Sequence, residues 1–193
     1  MKTQRSDFWT AFFTGMLAGF TAALAGATIY AVFYAKAQIE EAHKEAQVEH
    51  LLTLEQQYEK EPMVTYRKRL AERRLKGEDE PDELYKVLDF FETVGKLVDR
   101  GYLDESDVWD NFAYPVLMLN ADAGEIIRDY QRSDPAAYEG FTSLVKKLQQ
   151  TESQHSGALQ HISPNDIRNF YRKELSVGTG VPARLRRNRP EKR

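Results

Sequence analysis

The fold is decided by residues 8–35, which read FWTAFFTGMLAGFTAALAGATIYAVFYA and contain no Asp, Glu, Lys, Arg or His. As a helix, these 28 residues are about 42 Å long, longer than the hydrocarbon core of about 30 Å. The aromatic residues near its two ends are Phe8, Trp9, Phe12 and Phe13, then Tyr30, Phe33 and Tyr34. Aromatic belts of this kind are typical of a membrane-spanning helix. The run therefore predicts one transmembrane helix.

A cleavable signal peptide and a buried globular helix both fit this apolar run less well. Ala35-Lys36-Ala37 has the form of a signal-peptide cleavage site, but the hydrophobic core of a signal peptide is only about 7–15 residues long. A buried helix of a globular domain would carry charges along one face, and this run carries none. We therefore expect a single-pass protein of the cell inner membrane.

The numbers of positive charges on the two sides of the run are equal, so they do not fix the orientation of the span in the membrane. Lys2 and Arg5 precede the run, while Lys36 and Lys44 follow it within about 15 residues, the range that orients a span. Arginine-rich stretches farther along the chain favour a cytoplasmic C-terminal region.

Small residues recur at every fourth position from Ala11 to Ala35, and Gly15 and Gly19 form a GxxxG motif. This spacing lets two helix backbones approach closely in lipid, where no hydrophobic force drives association. Each four-residue step overshoots a full turn by about 40°, so only part of the stripe faces one partner. We predict packing through Gly15, Gly19 and Ala23 in a homo-oligomer or a larger membrane complex, although Ala and Gly are also common in spanning helices.

The rest of the 193-residue chain has a different composition. Charged residues make up 30% of the whole sequence, the net charge is −3, and there is no cysteine, which excludes disulfides and cysteine nucleophiles. Helical periodicity without strand alternation predicts an all-α fold. We expect an N-terminal flank (1–7), the transmembrane helix (8–35), a helical stalk (36–61), a basic helix (62–77), a helical bundle (78–150), a linker (151–162), a terminal helix (163–175) and a disordered basic tail (176–193).

Capping signals and apolar stripes mark the helices of the bundle. Stripes at three- and four-residue spacing predict core faces between residues 84 and 175. Because a core of fewer than about 100 residues is marginal, we expect the stalk or a partner to complete it. The predicted helix starts are Pro81, Asp104, Asp134-Pro135 and Ser163, and the predicted stops are Gly77 and Gly101.

The segments Val87-Leu88-Asp89-Phe90-Phe91-Glu92-Thr93-Val94-Gly95 and Arg100-Gly101-Tyr102-Leu103-Asp104 follow the apolar run and an Arg-rich helix. In this order they resemble an uncharacterised family of bacterial, single-span, membrane-anchored helical proteins built on a domain of unknown function. The resemblance covers roughly Tyr66–Leu148 and implies no functional residue.

Charge is distributed in blocks. Residues 78–139 hold 17 acidic and 5 basic residues, whereas the helix before them and the tail after them are each +5. The basic blocks have three alternative roles: pairing with acids inside the protein or on a partner, contact with membrane lipid, or binding of nucleic acid, which the acidic bundle makes unlikely. The candidate basic patch consists of Arg67, Lys68, Arg69, Arg73, Arg74, Lys76, Arg184, Arg186, Arg187 and Arg189.

We find no residues that indicate catalysis, a cofactor or a metal site. The histidines lack metal-binding spacing, and neither a phosphate-binding loop nor a nucleophile elbow occurs. The acid pairs Asp89/Glu92 and Asp122/Glu125 are interpreted as solvated. The sequence therefore predicts a non-catalytic membrane protein that acts as a scaffold, accessory subunit or regulatory contact. The alternative is a membrane-tethered binder of anionic lipid or nucleic acid.

Overall fold

The computed structural model describes residues 3–156 and 161–176. Within these residues the chain is helical and contains no strand, so the predicted all-α fold is confirmed. Six helices follow one another in chain order: α1 (Thr3–Tyr58), α2 (Met63–Leu75), α3 (Asp82–Asp99), α4 (Glu105–Ser133), α5 (Glu139–Ser156) and α6 (Pro164–Ser176).

The chain divides into two compact units between Ala46 and Gln47. The first unit holds the apolar part of α1. The second unit, the bundle, holds the end of α1 and the other five helices. The last turns of α1, which lie within the predicted stalk (36–61), belong to the bundle core.

In the bundle, α3 packs against α2 and α5, while α4 packs against α5 and α6, and α2 packs against α6. The apolar faces predicted from the helical periodicity are the buried ones. The largest fully buried side chains include Leu84, Leu88, Phe91, Phe112, Leu119, Phe141, Leu144 and Leu148.

The end of α1 completes this core, as one of the two sequence-based alternatives expected. Leu51, Leu54 and Tyr58 are buried there. The Tyr58 ring lies 5.4 to 5.6 Å from the rings of Phe90, Phe91 and Phe112, measured between centroids. These distances are in the range of favourable aromatic pairs.

Most predicted helix ends are confirmed. The carboxylate of Asp104 accepts hydrogen bonds from the backbone N–H groups of Ser106 and Asp107 and so caps α4. Gly77 and Gly101 follow helix ends with φ of 89° and 74°, values that glycine adopts without strain. Pro81 is the N-cap of α3 and not its first helical residue, one position from the prediction.

Helix α5 differs from the prediction at both ends. It begins at Glu139 and not at Asp134-Pro135, because Tyr138 adopts a positive φ of 53° and ends the preceding turn. It continues to Ser156 and so occupies half of the predicted linker, since Thr151 and Glu152 are buried and Thr151 donates to Glu105 at 2.6 Å. The predicted disordered tail lies outside the described residues from 177 onward.

Candidate functional site

The apolar segment of α1 exposes large hydrophobic side chains on all of its faces. Leu17, Tyr30 and Phe33 are 67%, 72% and 71% exposed. Within the described residues, α1 is the helix long and apolar enough to cross a membrane. The other large apolar residues exposed along this stretch are Phe12, Met16, Phe20, Leu24, Ile29, Val32 and Tyr34.

Two threonine side chains in this segment hydrogen-bond to its own backbone. The hydroxyl groups of Thr21 and Thr28 donate to the carbonyl oxygens of Leu17 and Leu24, both at 2.9 Å. Such internal pairing is what a helix needs where water is absent.

Two of the three predicted packing residues, Gly15 and Gly19, lie in open space within this chain. A Cβ atom added at Gly15 or Gly19 would meet no other atom of this chain within 4 Å. The side chain of Ala23 lies outside the described residues, although its backbone belongs to α1. The glycines therefore leave a shallow surface that nothing in the described chain covers.

The predicted basic patch is divided by the fold. Arg67 is only 6% exposed and is not a surface residue, which corrects its assignment to the patch. Its Nε and Nη2 atoms each lie 2.7 Å from Oε2 of Glu174 on α6, and its Nη1 donates to the Tyr58 carbonyl oxygen at 2.9 Å. The guanidinium also stacks 3.7 Å from the Tyr58 ring centroid. Arg67 thus joins the end of α1 to α2 and α6.

Burial has the largest effect on the ionisation of the Glu174 carboxylate in this pair. Burial raises the pKa of Glu174 above its ordinary value, and the Arg67 guanidinium opposes that shift. A buried charge without its partner is costly. The Glu174 carboxylate therefore depends on the Arg67 guanidinium to stay ionised inside the bundle.

A second arginine of α2 makes a similar link. The Arg74 guanidinium binds the Asp122 carboxylate of α4, and the Tyr171 hydroxyl of α6 donates to the same carboxylate at 2.5 Å. Burial and the neighbouring Asp122 charge raise the pKa of Tyr171. The cluster fixes α2, α4 and α6 together.

The remaining cations of α2 differ from these two. The Arg73 guanidinium forms ion pairs with Glu78 and Glu83, at 2.6 and 2.9 Å, both of which follow it closely in the chain. Lys68 is partly exposed, and Arg69 and Lys76 are exposed. The tail members of the patch, Arg184, Arg186, Arg187 and Arg189, lie outside the described residues.

A groove of about 610 Å³ lies between α4 and α6. Tyr114 and Met118 form its apolar wall, and Arg172 and Lys173 supply positive charge. The groove also contains Asp166, whose carboxylate accepts a hydrogen bond from the Ser163 hydroxyl at 2.7 Å. That bond, which belongs to the cap of α6, lowers the pKa of Asp166.

The acid pairs interpreted as solvated are each divided between surface and core. Asp89 is exposed, whereas Glu92 accepts a hydrogen bond from the Phe141 N–H at 2.7 Å and so caps α5. The Glu125 side chain is 93% exposed, whereas Asp122 binds Arg74. Their spacing along one helix could not reveal these partners, because each partner lies on another helix.

No group of three His, Cys, Asp or Glu side chains in the described part of the chain could hold a metal ion. His155 stacks against Trp109 with ring centroids 4.6 Å apart. Its Nδ1 lies 2.8 Å from the carbonyl oxygen of Thr151. The ring therefore has packing contacts in the bundle.

The comparison with known families identifies the domain. The family described as Domain of unknown function (DUF4760) matches residues 16–148, about two-thirds of the chain. The chain belongs to this family. The match ends where the predicted resemblance ends, but it begins in the apolar segment and not near Tyr66. No curated protein and no solved structure matches the chain.

Within the DUF4760 match, the segment 87–95 has structural roles. Phe91 is fully buried, and Glu92 caps α5. A Cβ atom at Gly95 would overlap the backbone of Gly140, so this glycine permits the close approach of α3 and α5. The motif that carries the resemblance is therefore a packing motif.

Proposed function

We propose that this DUF4760 protein is a single-span membrane protein whose bundle acts as a non-catalytic scaffold, accessory subunit or regulatory contact. The apolar segment of α1 anchors it, and the bundle presents surfaces to other components. The proposed location is the inner membrane of a bacterial cell, with the bundle on the cytoplasmic side.

The observation that supports this proposal is the exposure of the described apolar side chains between residues 12 and 34 of α1. A helix that is hydrophobic on all sides is stable either inside a large protein or inside a membrane. In this chain no described partner covers the segment: Leu24 and Ile29 are 54% and 59% exposed. Lipid is the solvent that stabilises such a surface.

The scaffold role is supported by how the bundle uses its buried charges. Arg67 and Arg74 bind Glu174 and Asp122, and these pairs hold helices together. Their geometry serves structure, since each guanidinium and carboxylate is engaged within the chain. We therefore assign the contact function to surfaces of the protein and not to these buried groups.

Association within the bilayer is the first contact that we propose. Gly15 and Gly19 offer a surface on which a second helix can approach closely. The second helix belongs to another copy of this chain or to a larger complex.

The experiment compares association of the full chain before and after Gly15→Ile and Gly19→Ile, by crosslinking in membranes at several protein-to-lipid ratios. A side chain at either site meets nothing within 4 Å in this chain, so the substitutions leave the single helix undisturbed. We expect crosslinked species to decrease. Gly26→Ile, at a position equally open within the chain, is the matched control.

Unchanged crosslinking in the variant that carries both Gly15→Ile and Gly19→Ile would contradict the proposed packing surface. A decrease of the same size in Gly26→Ile would show that bulk in the span, and not the Gly15/Gly19 surface, controls association.

A further inference from the structure

Two neighbouring helices of the bundle carry cations that the internal ion pairs leave over. Helices α2 and α6 pack against each other, and the patch predicted from the sequence contained cations of α2 but none of α6. We call the combined set the α2/α6 basic surface. Its members are Lys68 and Arg69 on α2 and Arg168, Arg172 and Lys173 on α6, all exposed or partly exposed.

These five side chains remain available after internal pairing. In the described part of the chain none of them forms an ion pair with an acid. Arg172 donates to the Asn169 side chain at 3.4 Å, and the Lys173 ammonium lies 5.5 Å from the Tyr114 ring centroid. Both contacts leave the positive charge uncompensated.

The acids of the same two helices do not neutralise the surface. Glu174 is buried against Arg67, so only Glu72 and Asp166 stand against the five cations. Five positive and two negative charges give the surface a net charge of +3. The bundle elsewhere is acidic, with 17 acidic and 5 basic residues between positions 78 and 139. The positive charge is thus concentrated on one part of the bundle.

We infer that the α2/α6 basic surface binds the anionic phospholipid headgroups of a bilayer. The inference rests on the proposed membrane anchor, because a chain held in a bilayer meets headgroups at high local concentration. Several Lys and Arg residues close to an anionic leaflet bind it by their summed charge, without needing a pocket. Five cations spread over two helices match such a surface.

Nucleic acid fits this surface less well. Proteins that bind single strands combine cations with aromatic side chains on which bases stack. On α6 the aromatic side chains are Phe170 and Tyr171, and both are buried. The acidic remainder of the bundle also repels a long polyanion.

The composition of the surface differs from the sequence-based patch. Arg67, Arg73 and Arg74 are engaged by Glu174, Glu83 and Asp122 within the chain. Arg168, Arg172 and Lys173 replace them. A test can therefore separate surface binding from a general effect of basic residues.

The test measures amine labelling of single lysines in the full chain, inserted into nanodiscs of neutral phosphatidylcholine or of phosphatidylcholine with phosphatidylglycerol. Mass spectrometry compares Lys68 and Lys173 with Lys86 on α3 and Lys146 on α5, which are exposed outside the surface. We expect labelling of Lys68 and Lys173 to fall about threefold in anionic discs, and to recover at high salt. Labelling of Lys86 and Lys146 should not change.

A matched pair of variants removes equal charge from two places. Arg69→Gln/Arg168→Gln/Arg172→Gln removes three cations of the surface and should abolish the protection of Lys68 and Lys173. Lys86→Gln/Arg100→Gln/Lys146→Gln removes three exposed cations elsewhere and should preserve it.

Equal labelling of Lys68 and Lys173 in the two kinds of disc would overturn the inference, as would protection that persists at high salt. Protection in neutral discs that increases with protein density would assign the surface to a second copy and also overturn it. Failure of the chain to enter discs at all would instead contradict the proposed membrane anchor. Protection reversed by inorganic phosphate would show that a phosphate site, and not a lipid surface, had been occupied.

Discussion

The apolar segment and the last turns of helix α1 have opposite surroundings. In the apolar segment Leu24 is 54% exposed, whereas in the last turns Leu54 is 7% exposed and Tyr58 is 4% exposed. Both parts are rich in apolar side chains, but only the second has partners within the described chain. Continuous helical backbone therefore does not imply one environment, and the side chains show which part of α1 belongs to the bundle.

The sequence pattern of α1 differs between these two parts. The apolar segment lacks charge on every side, whereas the end of α1 mixes buried apolar residues with exposed polar ones such as Gln56 and Glu59. A one-sided apolar stripe indicates packing against protein on that side, whereas an all-round apolar surface is typical of a helix inside a large protein or a membrane. The following predictions test this contrast.

The largest effect is expected where the end of α1 meets a buried charge. Arg67→Met leaves Glu174 unpaired inside the bundle, which should reduce the free energy of unfolding by about 3–5 kcal/mol. Urea unfolding of the full chain in mild detergent measures it through Trp109, with Trp9→Phe present so that Trp109 is the sole tryptophan.

Two controls accompany this change. Arg69→Met, on the exposed side of the same helix, should alter the free energy by less than about 0.5 kcal/mol. Arg67→Met/Glu174→Leu removes both charges and should recover most of the loss. Equal effects of Arg67→Met and Arg69→Met would contradict the buried pair.

A smaller effect is expected from the core contact of α1. Leu54→Ala should destabilise the bundle by about 2–5 kcal/mol, because it deletes a buried side chain and leaves a cavity. Leu24→Ala makes the same chemical change in the apolar segment and should leave bundle unfolding unchanged. If both variants shifted the urea midpoint equally, the two parts of α1 would not be distinct.

Glycines in the two regions should respond differently to an added methyl group. Gly95→Ala forces α3 and α5 apart and should cost about 1–3 kcal/mol, since the new Cβ would overlap the Gly140 backbone. Gly19→Ala meets open space in this chain and should not change bundle stability.

A helix glycine inside the bundle provides the matched control. Gly124 has only side-chain atoms at 3.4 Å or more from an added Cβ. Gly124→Ala should therefore be neutral or stabilising by up to about 1 kcal/mol through helix propensity. A loss for Gly124→Ala equal to that for Gly95→Ala would exclude the close approach as the cause.

The smallest effect is expected at a helix cap and depends on pH. Asp104→Ala should destabilise the bundle by about 1 kcal/mol at neutral pH, and Asp104→Asn should not, since both Asp and Asn cap well. The Ser106 hydroxyl, which donates to the carboxylate at 2.6 Å, holds the pKa of Asp104 below its ordinary value of 3.8.

The direction of the pH dependence of stability follows from the lowered pKa of Asp104. A lowered pKa in the folded state adds stability above pH 3.8 that is lost as the pH falls through the folded-state value. Urea midpoints above and below pH 3.8 should therefore fall more steeply for the wild type than for Asp104→Asn. Parallel pH dependence in the two proteins would contradict the role of this carboxylate.

The sequence predicted the features that depend on neighbouring residues. The core stripe of α3, the cap at Asp104 and the stops at Gly77 and Gly101 are local signals, and each is confirmed. Arg67 and Glu174 lie 107 positions apart, so no spacing rule could pair them. The start of α5 was placed too early because a positive φ at Tyr138 has no strong signal in the sequence.

The candidate site also contains features that the sequence predicts and features that only the fold determines. The apolar segment is predicted by its length, its lack of charged residues and the aromatic residues near its ends, whereas the basic patch is predicted only by its charge. Which cations remain exposed depends on tertiary pairing, and this moved Arg67 and Arg74 into the bundle and added Arg172. Composition can locate a block of charge, but the fold determines which members of it reach a ligand.

Alkaline carbonate extraction of membranes that contain the full-length chain tests the anchor most directly. Carbonate releases peripheral proteins but not spanning helices, so the intact chain should stay in the membrane pellet. Phe20→Arg/Leu24→Arg should release it, because each arginine at mid-span costs about 2.5–3.5 kcal/mol. Release of the unprocessed wild-type chain into the supernatant would contradict the account.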